Sequence, residues 1–136
     1  MADPLDSLAQ YVAVDLAIGA LGTVVFQDQM PDAAAGTYDT CVGLIDTGGP
    51  APALTLGDDT DYPTFQIVSR SLSADTAKTN LRTIFQGIHG LHEVSIHSTY
   101  FKLIAAVGGM VFLGRDEKNR YLWSQSFRTM VRGVTR

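Results

Sequence analysis

The sequence predicts an α+β protein in which a mostly antiparallel sheet carries two helices packed on one face. Two stretches show the spacing of amphipathic helices, and the segments between and after them have the composition of strands. These strand segments follow one another without regular strand–helix–strand units, which favours antiparallel meanders over a parallel sheet. The predicted order is α-β-β-β-α-β-β.

Both helices are predicted from a cap and an apolar stripe. Asp3 is expected as the N-cap and Pro4 as the first helical residue of a helix that runs to about Ala20. Its apolar face comprises Leu5, Leu8, Val12, Leu16 and Ala20. Ser73 is expected to cap the second helix, which continues to about His89 before Gly90 stops it. Its apolar face comprises Ala77, Leu81, Ile84, Phe85 and Ile88.

Three strands are predicted between the helices, because β-branched and aromatic residues cluster there between turn residues. They cover residues 23–26, 41–47 and 64–72, the last of them opened by Pro63. Residues 28–40 and 48–62 are predicted loops. The second loop is rich in glycine, proline and aspartate, and a loop of about 15 residues is uncommon in a small domain unless it has a function.

The last third is predicted to form strands at residues 93–97, 100–107 and 120–131. Residues 108–119 are predicted to be a long connection that holds an apolar patch, residues 110–113, and a polar turn. Alternation is regular in the final strand, where one face is predicted to carry Tyr121, Trp123, Gln125, Phe127, Thr129 and Val131.

The length of 136 residues predicts one domain, residues 1–136, which buries enough surface to fold without a disulfide or a metal. Cys41 is the single cysteine, so an intramolecular disulfide is excluded. No apolar run approaches the roughly 20 residues of a membrane helix. The first basic residue is Arg70, so the sequence begins without a basic signal region. We therefore expect a soluble protein that is made inside the cell and has no membrane partner.

Charge is divided unevenly along the chain. Residues 1–69 contain ten aspartates and no Lys, Arg or His, whereas residues 70–136 contain all ten Lys and Arg with four acids. The two halves therefore carry −10 and +6, which gives the net charge of −4. Either antiparallel pairing mixes the halves in space, or the molecule has an acidic and a basic side that suit head-to-tail packing of copies. Nucleic-acid recognition by a single copy is not predicted, because no basic cluster is interleaved with aromatic residues.

The sequence gives only weak evidence for a group of residues that could support catalysis or metal binding. His89, His92 and His97 lie close in sequence, but Gly90 interrupts the first two and their spacing is not that of a metal site. Asp58, Asp59 and Asp61 lack the register and the closing Glu of an EF-hand loop. We find no nucleophile elbow, zinc-protease or P-loop motif, and Cys41 is expected to be a buried small hydrophobe. The sequence predicts no enzyme, no cofactor and no metal.

The second half of the chain contains a recognisable order of motifs. Residues 112–121 read Phe-Leu-Gly-Arg-Asp-Glu-Lys-Asn-Arg-Tyr and precede a strand that ends in Ser-Phe-Arg at residues 126–128. Upstream, a Gly-Gly loop is followed by Tyr-Pro-Thr-Phe-Gln-Ile at residues 62–67 and then by Arg70. This order resembles the minor capsid, or tail-terminator, proteins of long-tailed bacteriophages. The similarity spans most of the chain and is specific at residues 63–70 and 112–128.

The resemblance implies a structural subunit of the virion, made in the cytoplasm of the bacterial host. Such subunits are expected to form a hexameric ring at the head-proximal end of the tail tube. There the ring stops tube polymerisation and contacts the head connector, while genomic DNA passes through its lumen without sequence readout. The implied partners are further copies of the chain, the tail-tube protein and the connector.

A head-to-tail ring requires complementary surfaces, for which the chain offers candidates. Charge is expected to set the register, and the apolar patch at residues 110–113 is expected to supply affinity unless it covers the subunit's own core. The residues predicted to contact neighbours are Asp58, Asp59, Asp61, Met110, Phe112, Arg115, Lys118, Arg120 and Arg128.

Two other classes of protein stay open on the sequence. A head-completion or stopper protein has the same size and the same absence of chemistry, and it differs in its partner. A small ligand-binding or enzymatic α+β domain would use His92, His97 and the acidic loop, and bound metal would distinguish it.

Overall fold

One sheet organises the molecule, and its strands lie in the order β1-β2-β4-β7-β6-β5, with the short β3 also paired to β7. The computed structural model describes residues 4–16, 18–19, 24–28, 39–48, 60–97 and 99–132. The strands are β1 (Val25–Gln27), β2 (Cys41–Gly48), β3 (Thr60–Asp61), β4 (Thr64–Ser71), β5 (His92–Ile96), β6 (Thr99–Arg115) and β7 (Tyr121–Arg132). The pair β1–β2 is parallel and the other pairs are antiparallel. The predicted α+β class with a mostly antiparallel sheet is confirmed.

The predicted order of elements differs from the observed one in two places. Residues 60–61 form β3 inside the segment that was predicted as a loop. The strand predicted at residues 93–97 is confirmed as β5 (His92–Ile96), so three strands follow the second helix, one more than the predicted order of elements contains.

The first helix is shorter than its apolar spacing predicts. An α-helix, α1, covers Pro4–Gln10, and the π-helical turn Tyr11–Asp15 continues it. Ile18 and Gly19 are not helical, and Ala20 lies outside the described residues. The wider turn contains Val12 and Val14, two β-branched residues whose helix propensity is lower than that of unbranched ones.

The second helix, α2, spans Ala74–Ile88 and agrees with its predicted caps. The Ser73 hydroxyl accepts a hydrogen bond from the Thr76 backbone N–H at 3.3 Å, and Gly90 turns the chain away at a φ of +84°. Its buried face consists of Ala77, Leu81, Ile84 and Ile88. The C-terminal end contacts the first helical segment closely, because a Cβ on Gly87 would lie 2.6 Å from the Leu16 side chain.

Ser73 gives a test of the cap. We expect Ser73→Ala to lower the free energy of unfolding by about 1 kcal/mol, because one N-terminal amide of α2 loses its acceptor. Chemical denaturation followed by circular dichroism measures the change. Ser95→Ala, at an exposed position of β5, is the control and is expected to stay within about 0.5 kcal/mol. Equal losses in the two variants would contradict the capping role.

Both helices lie on one face of the sheet, as predicted. The Ser69 hydroxyl of β4 donates to the Ala77 carbonyl of α2 at 2.8 Å. On the same face, Phe65 of β4 stacks on Phe127 of β7 with ring centroids 5.2 Å apart. One continuous core therefore joins the two helices to β1, β2, β4, β6 and β7, and its fully buried members include Leu8, Val12, Leu44, Ile67, Leu81, Ile84 and Phe101.

The connection predicted at residues 108–119 is wrong for most of its length. β6 continues through it to Arg115, and only residues 116–120 turn the chain into β7. Gly108 and Gly109 suggested a loop, but they lie in a β-bulge where the register moves from Val107↔Ser126 to Val111↔Ser124. The β-branched and aromatic residues that follow can therefore continue the strand.

Candidate assembly surface

The distal part of β6, residues 107–115, extends past its outer neighbour, and we call it the arm. β5 pairs with β6 as far as Leu103. Beyond that point Ile104 exchanges backbone hydrogen bonds with Gly90 and Leu91, and the Ala106 N–H donates to His89 Nδ1 at 3.0 Å. From Val107 onward, β7 is the one strand among the described residues that pairs with β6.

The root of the arm is fixed by a buried side-chain amide. Gln125 of β7 is 1% exposed and lies opposite the bulge at residues 108–110. Its Nε2 donates to the Gly108 carbonyl at 3.0 Å and to the Ser126 carbonyl at 3.1 Å, with a longer contact of 3.4 Å to the Val107 carbonyl. These contacts satisfy carbonyls beside the bulge, where regular pairing between β6 and β7 is interrupted, so they stabilise the point from which the arm continues along β7.

Apolar side chains on the arm are exposed to solvent. Six large hydrophobic residues are exposed in the part of the chain that the structure describes, and four of them lie on the arm. They are Val107, Val111, Phe112 and Leu113, each close to half exposed. Met110 is partly buried and packs against the core, so the patch predicted at residues 110–113 both contacts the core and faces outward. Exposed apolar side chains gathered on one strand segment make the arm a candidate contact surface for another protein.

The turn that follows the arm is held by one aspartate. Asp116 Oδ1 accepts the backbone N–H groups of Lys118 at 2.9 Å and Arg120 at 3.0 Å, and its Oδ2 lies 2.7 Å from Arg120 Nε. Desolvation by burial raises the pKa of Asp116, but the hydrogen bonds from Arg120 and Lys118 outweigh it and leave the pKa below the ordinary 3.8. The charged carboxylate is therefore part of the turn's structure.

Acid should loosen this turn. A carboxyl group whose pKa is lowered on folding stabilises the folded state above its unfolded pKa, and this contribution is lost as the pH falls through the folded pKa. We expect Asp116→Asn to be less stable than the wild type at pH 7, with the difference beginning to shrink below about pH 3.8 and disappearing once the pH falls below the lower pKa of the folded state. Urea denaturation at a series of pH values measures this, and Glu117→Gln in the same turn is the control. A constant difference from pH 7 to pH 2 would contradict the prediction.

Arg120 lies inside the subunit, although the sequence placed it among the residues that contact neighbours. It is 2% exposed, and its Nη1 lies 3.6 Å from Asp39 Oδ1 while its Nε binds Asp116. Its charge is thus matched within one copy of the chain. We therefore leave Arg120 out of the proposed interface.

The other predicted basic residues are near the surface of β6, β7 and the turn between them. Arg115 is exposed with its guanidinium 5.0 Å from the centre of the Tyr121 ring, and Lys118 is half-buried in the turn. Arg128 is exposed beside a cavity of about 430 Å³. That cavity is lined by Tyr62, Thr64, Leu103, Val107, Arg128, Thr129 and Met130.

The strand order separates the charged halves in space. β1 and β2 come from the acidic half and form one end of the sheet, whereas β5, β6 and β7 come from the basic half and form the other. Asp28 and Asp46 are exposed at the acidic end. Three aspartates of the acidic half are exceptions. Asp39 lies 3.6 Å from Arg120, Asp15 lies 3.5 Å from His97, and β3 pairs Asp61 with Val131 at the basic end. Asp58 and Asp59 lie outside the described residues.

The histidines and the cysteine do not assemble a reactive centre. His89 accepts from Ala106 and stacks on Phe85, and His97 lies 3.5 Å from Asp15 in an ion-pair geometry. The described residues contain no group of three His, Cys, Asp or Glu side chains placed to hold a metal. Cys41 is fully buried as predicted, and burial raises the pKa of its thiol against the lowering effect of Arg70 and Arg120. None of the described helices is long and apolar enough to cross a membrane.

Two features of this surface are not predicted by the sequence. The pairing of Arg120 with Asp39 joins distant parts of the chain, and no local pattern predicts it. The spacing of Asp116 and Arg120, four residues apart in a polar turn, was a usable signal for the other half of that network. Gln125 was placed on the correct face of β7, but its contacts with the bulge depend on the register between strands.

An exposed apolar strand segment on a small α+β sheet, without a metal-binding group among the described residues, is typical of proteins that contact other proteins. The chain belongs to the family of bacteriophage tail terminator proteins, whose family model, described as "Bacteriophage tail terminator protein", matches residues 14–131. The resemblance seen in the sequence is confirmed, and the chain is a structural protein of the phage tail.

A solved structure of a phage-like particle contains a chain with the same fold. The structure is entitled "Virion of native gene transfer agent (GTA) particle", and the similarity has a TM-score of 0.62 at 18% sequence identity. The match covers 97% of this chain and 87% of the other. No curated protein matches the sequence.

Proposed function

We propose that the protein is the tail terminator of a long-tailed bacteriophage. Copies of the chain form a hexameric ring at the head-proximal end of the tail tube, stop its polymerisation and join the tail to the head connector. The observation that carries this proposal is the match of the family model to residues 14–131, which includes most of the sheet and all of the arm. Fold similarity to a chain from a phage-like particle supports it.

The arm and its basic surroundings are the proposed contact surface. Phe112 and Met110 supply apolar contact, and Arg115, Lys118 and Arg128 supply positive charge. The complementary charge of the neighbouring copy comes from the acidic half of the chain. Asp58 and Asp59 belong to that half by sequence, whereas β3 places Asp61 beside β7 at the basic end. Exposed charge pairs contribute about 0–1 kcal/mol each, so they select the register while the apolar side chains supply most of the affinity.

The proposed site of action is the neck of the virion, after synthesis in the host cytoplasm. Genomic DNA crosses the lumen of the ring without base readout, which the negative net charge of −4 favours because it limits adhesion to phosphate. The proposal needs no cofactor and no metal.

Tube length gives the decisive experiment. Purified protein is mixed with polymerising tail-tube protein, and tube lengths are measured by electron microscopy. We expect capped tubes whose mean length falls as the concentration of this protein rises. Tubes of unchanged length, with no protein at either end, would overturn the proposal.

A charge-reversed pair of variants tests the proposed surface through self-association. Arg115→Glu is expected to weaken self-association because its charge lies on the arm, whereas Arg132→Glu makes the same change of charge at an exposed position at the other end of β7. Sedimentation velocity compares the two variants with the wild type. Equal behaviour of Arg115→Glu and Arg132→Glu would remove Arg115 from the interface.

A further inference from the structure

The outer edge of the arm carries backbone groups that lack a strand partner among the described residues. Pairing with β5 ends at Leu103, and the last outward hydrogen bond before the arm is the one from Ala106 to His89. Successive residues of a strand direct their N–H and C=O groups to opposite edges. Roughly half of the backbone groups of residues 107–115 therefore point away from β7.

This edge has few of the features that keep sheet edges from pairing. Natural edges are protected by short strands, proline, lysine, inward-pointing charge or β-bulges. The arm is nine residues long, contains no proline, and has Arg115 as its single charged residue. Of these devices it has the bulge at its root and a register shift between Phe112 and Gly114, while Val111 and Phe112 pair regularly with β7. The neighbouring edge strand β5 differs, since Glu93 interrupts it at a φ of +46° and both His92 and Glu93 are exposed. The arm therefore has the features of an edge strand that can pair with another strand.

We infer that the arm extends the sheet of a second copy: it pairs through backbone hydrogen bonds with the acidic β1–β2 end of the next subunit. This inference rests on the proposed self-association and adds how the copies join. Charge complementarity identifies the β1–β2 end as the surface that the arm contacts. Residues 1–69 contain no Lys, Arg or His, and Asp28 and Asp46 are exposed at that end of the sheet. Arg115 lies at the end of the arm that would meet them.

The two surfaces lie at opposite ends of one sheet, which determines the symmetry of the contact. In the order β1-β2-β4-β7-β6-β5, the arm and the β1–β2 end are separated by β4 and β7. A contact between two different surfaces is heterologous and leaves one free surface of each kind on every pair. Repetition of such a contact gives a ring where the rotation between copies closes, and not a two-fold dimer; backbone pairing would make the subunit sheets continuous around that ring.

Hydrogen exchange on the wild-type protein tests the backbone pairing directly. Exchange is followed by mass spectrometry at concentrations below and above self-association. We expect amides in residues 107–115 to exchange at least about tenfold more slowly in the assembled protein, because new hydrogen bonds protect them. Amides of α2, which are bonded within the helix, serve as the internal reference. Unchanged exchange in the arm of an assembled protein would overturn the inference.

A pair of proline variants identifies the edge that is used. Val111 and Phe112 are consecutive and regularly paired with Ser124 and Trp123, so one of the two amides faces β7 and the other faces outward. Proline at the outward-facing position should abolish assembly and leave the thermal midpoint of the monomer nearly unchanged. Val111→Thr, which keeps the amide and the branched side chain, is the matched control. Assembly of both proline variants at wild-type strength would overturn the inference.

Two charge-reversed variants test whether the arm of one copy contacts the β1–β2 end of the next. Arg115→Glu and Asp46→Lys each place like charges across the proposed contact, so each variant alone should associate about tenfold more weakly than the wild type. In an equimolar mixture, an assembly in which the two variants alternate has opposite charges at every contact. The strength of association should therefore return to within about threefold of that of the wild type. A mixture no stronger than its components would overturn docking at the β1–β2 end.

These outcomes separate the inference from the proposed function. Wild-type protein that shortens tail tubes while its arm amides remain unprotected would overturn the inference and leave the terminator function standing. Protein that neither associates nor limits tube length would overturn both. Protected arm amides together with restored association in the mixture would support the strand pairing and its partner.

Discussion

Replacing Phe127 with alanine is expected to lower the free energy of unfolding by about 3–5 kcal/mol. The side chain is 1% exposed, stacks on Phe65 and lies 6.4 Å from the Phe85 ring centroid, so its removal leaves a cavity between the sheet and α2. Rigid neighbours on both sides limit the collapse of that cavity. Urea denaturation monitored by the fluorescence of Trp123, the single tryptophan, measures the loss.

Phe112→Ala is the matched control, since it removes the same number of atoms from the arm. Phe112 is 47% exposed and contacts Tyr121 and Trp123 from the surface, so its loss is expected to change stability by about 1 kcal/mol. The same variant is expected to weaken self-association, because Phe112 belongs to the exposed apolar surface. A Phe112→Ala variant as unstable as Phe127→Ala would show that the arm is part of the folding core.

Replacing Arg120 with methionine is expected to destabilise the subunit by about 2–3 kcal/mol. Removal of one partner from a buried ion pair leaves the opposite charge uncompensated and typically costs about 3–5 kcal/mol. The expected loss is smaller here because the side chains of Asp39 and Asp116 keep 18% and 26% of their exposure and remain partly hydrated. Denaturation at pH 7 measures the loss.

Two controls accompany that variant. Arg115→Met removes the same charge from an exposed position and is expected to stay within about 0.5 kcal/mol of the wild type. Arg120→Lys keeps the charge but loses the planar fork that binds two carboxylates, so its stability should lie between those of the wild type and Arg120→Met. If Arg115→Met and Arg120→Met lost equal stability, the buried network would not be a stabilising one.

Elements with strong local signals were predicted well from the sequence. Ser73 and Gly90 marked the ends of α2, and strict alternation defined the faces of β7. These signals lie within a few residues of the structure that they specify, so a single segment contains enough information. The mixed class of the fold followed from the order of such segments.

Elements that depend on contacts between distant segments were predicted poorly. Gly108 and Gly109 suggested a loop, because the Gln125 amide that stabilises the bulge comes from another strand. Arg120 looked like a surface charge, since Asp39 becomes its neighbour only after β2, β4 and β7 have paired. For the same reason the sequence could indicate an apolar patch at residues 110–113 but not that part of it packs on the core and part faces solvent.

The contact between Gln125 and the bulge has a mechanical consequence. One side-chain amide binds the Val107, Gly108 and Ser126 carbonyls at the point where backbone pairing between β6 and β7 is interrupted. On the opposite edge, β7 is paired with β4 along this whole stretch, so the body of the sheet does not depend on that amide. Substitution of residue 125 should therefore loosen the junction between the two parts of β6 and leave the strand order unchanged.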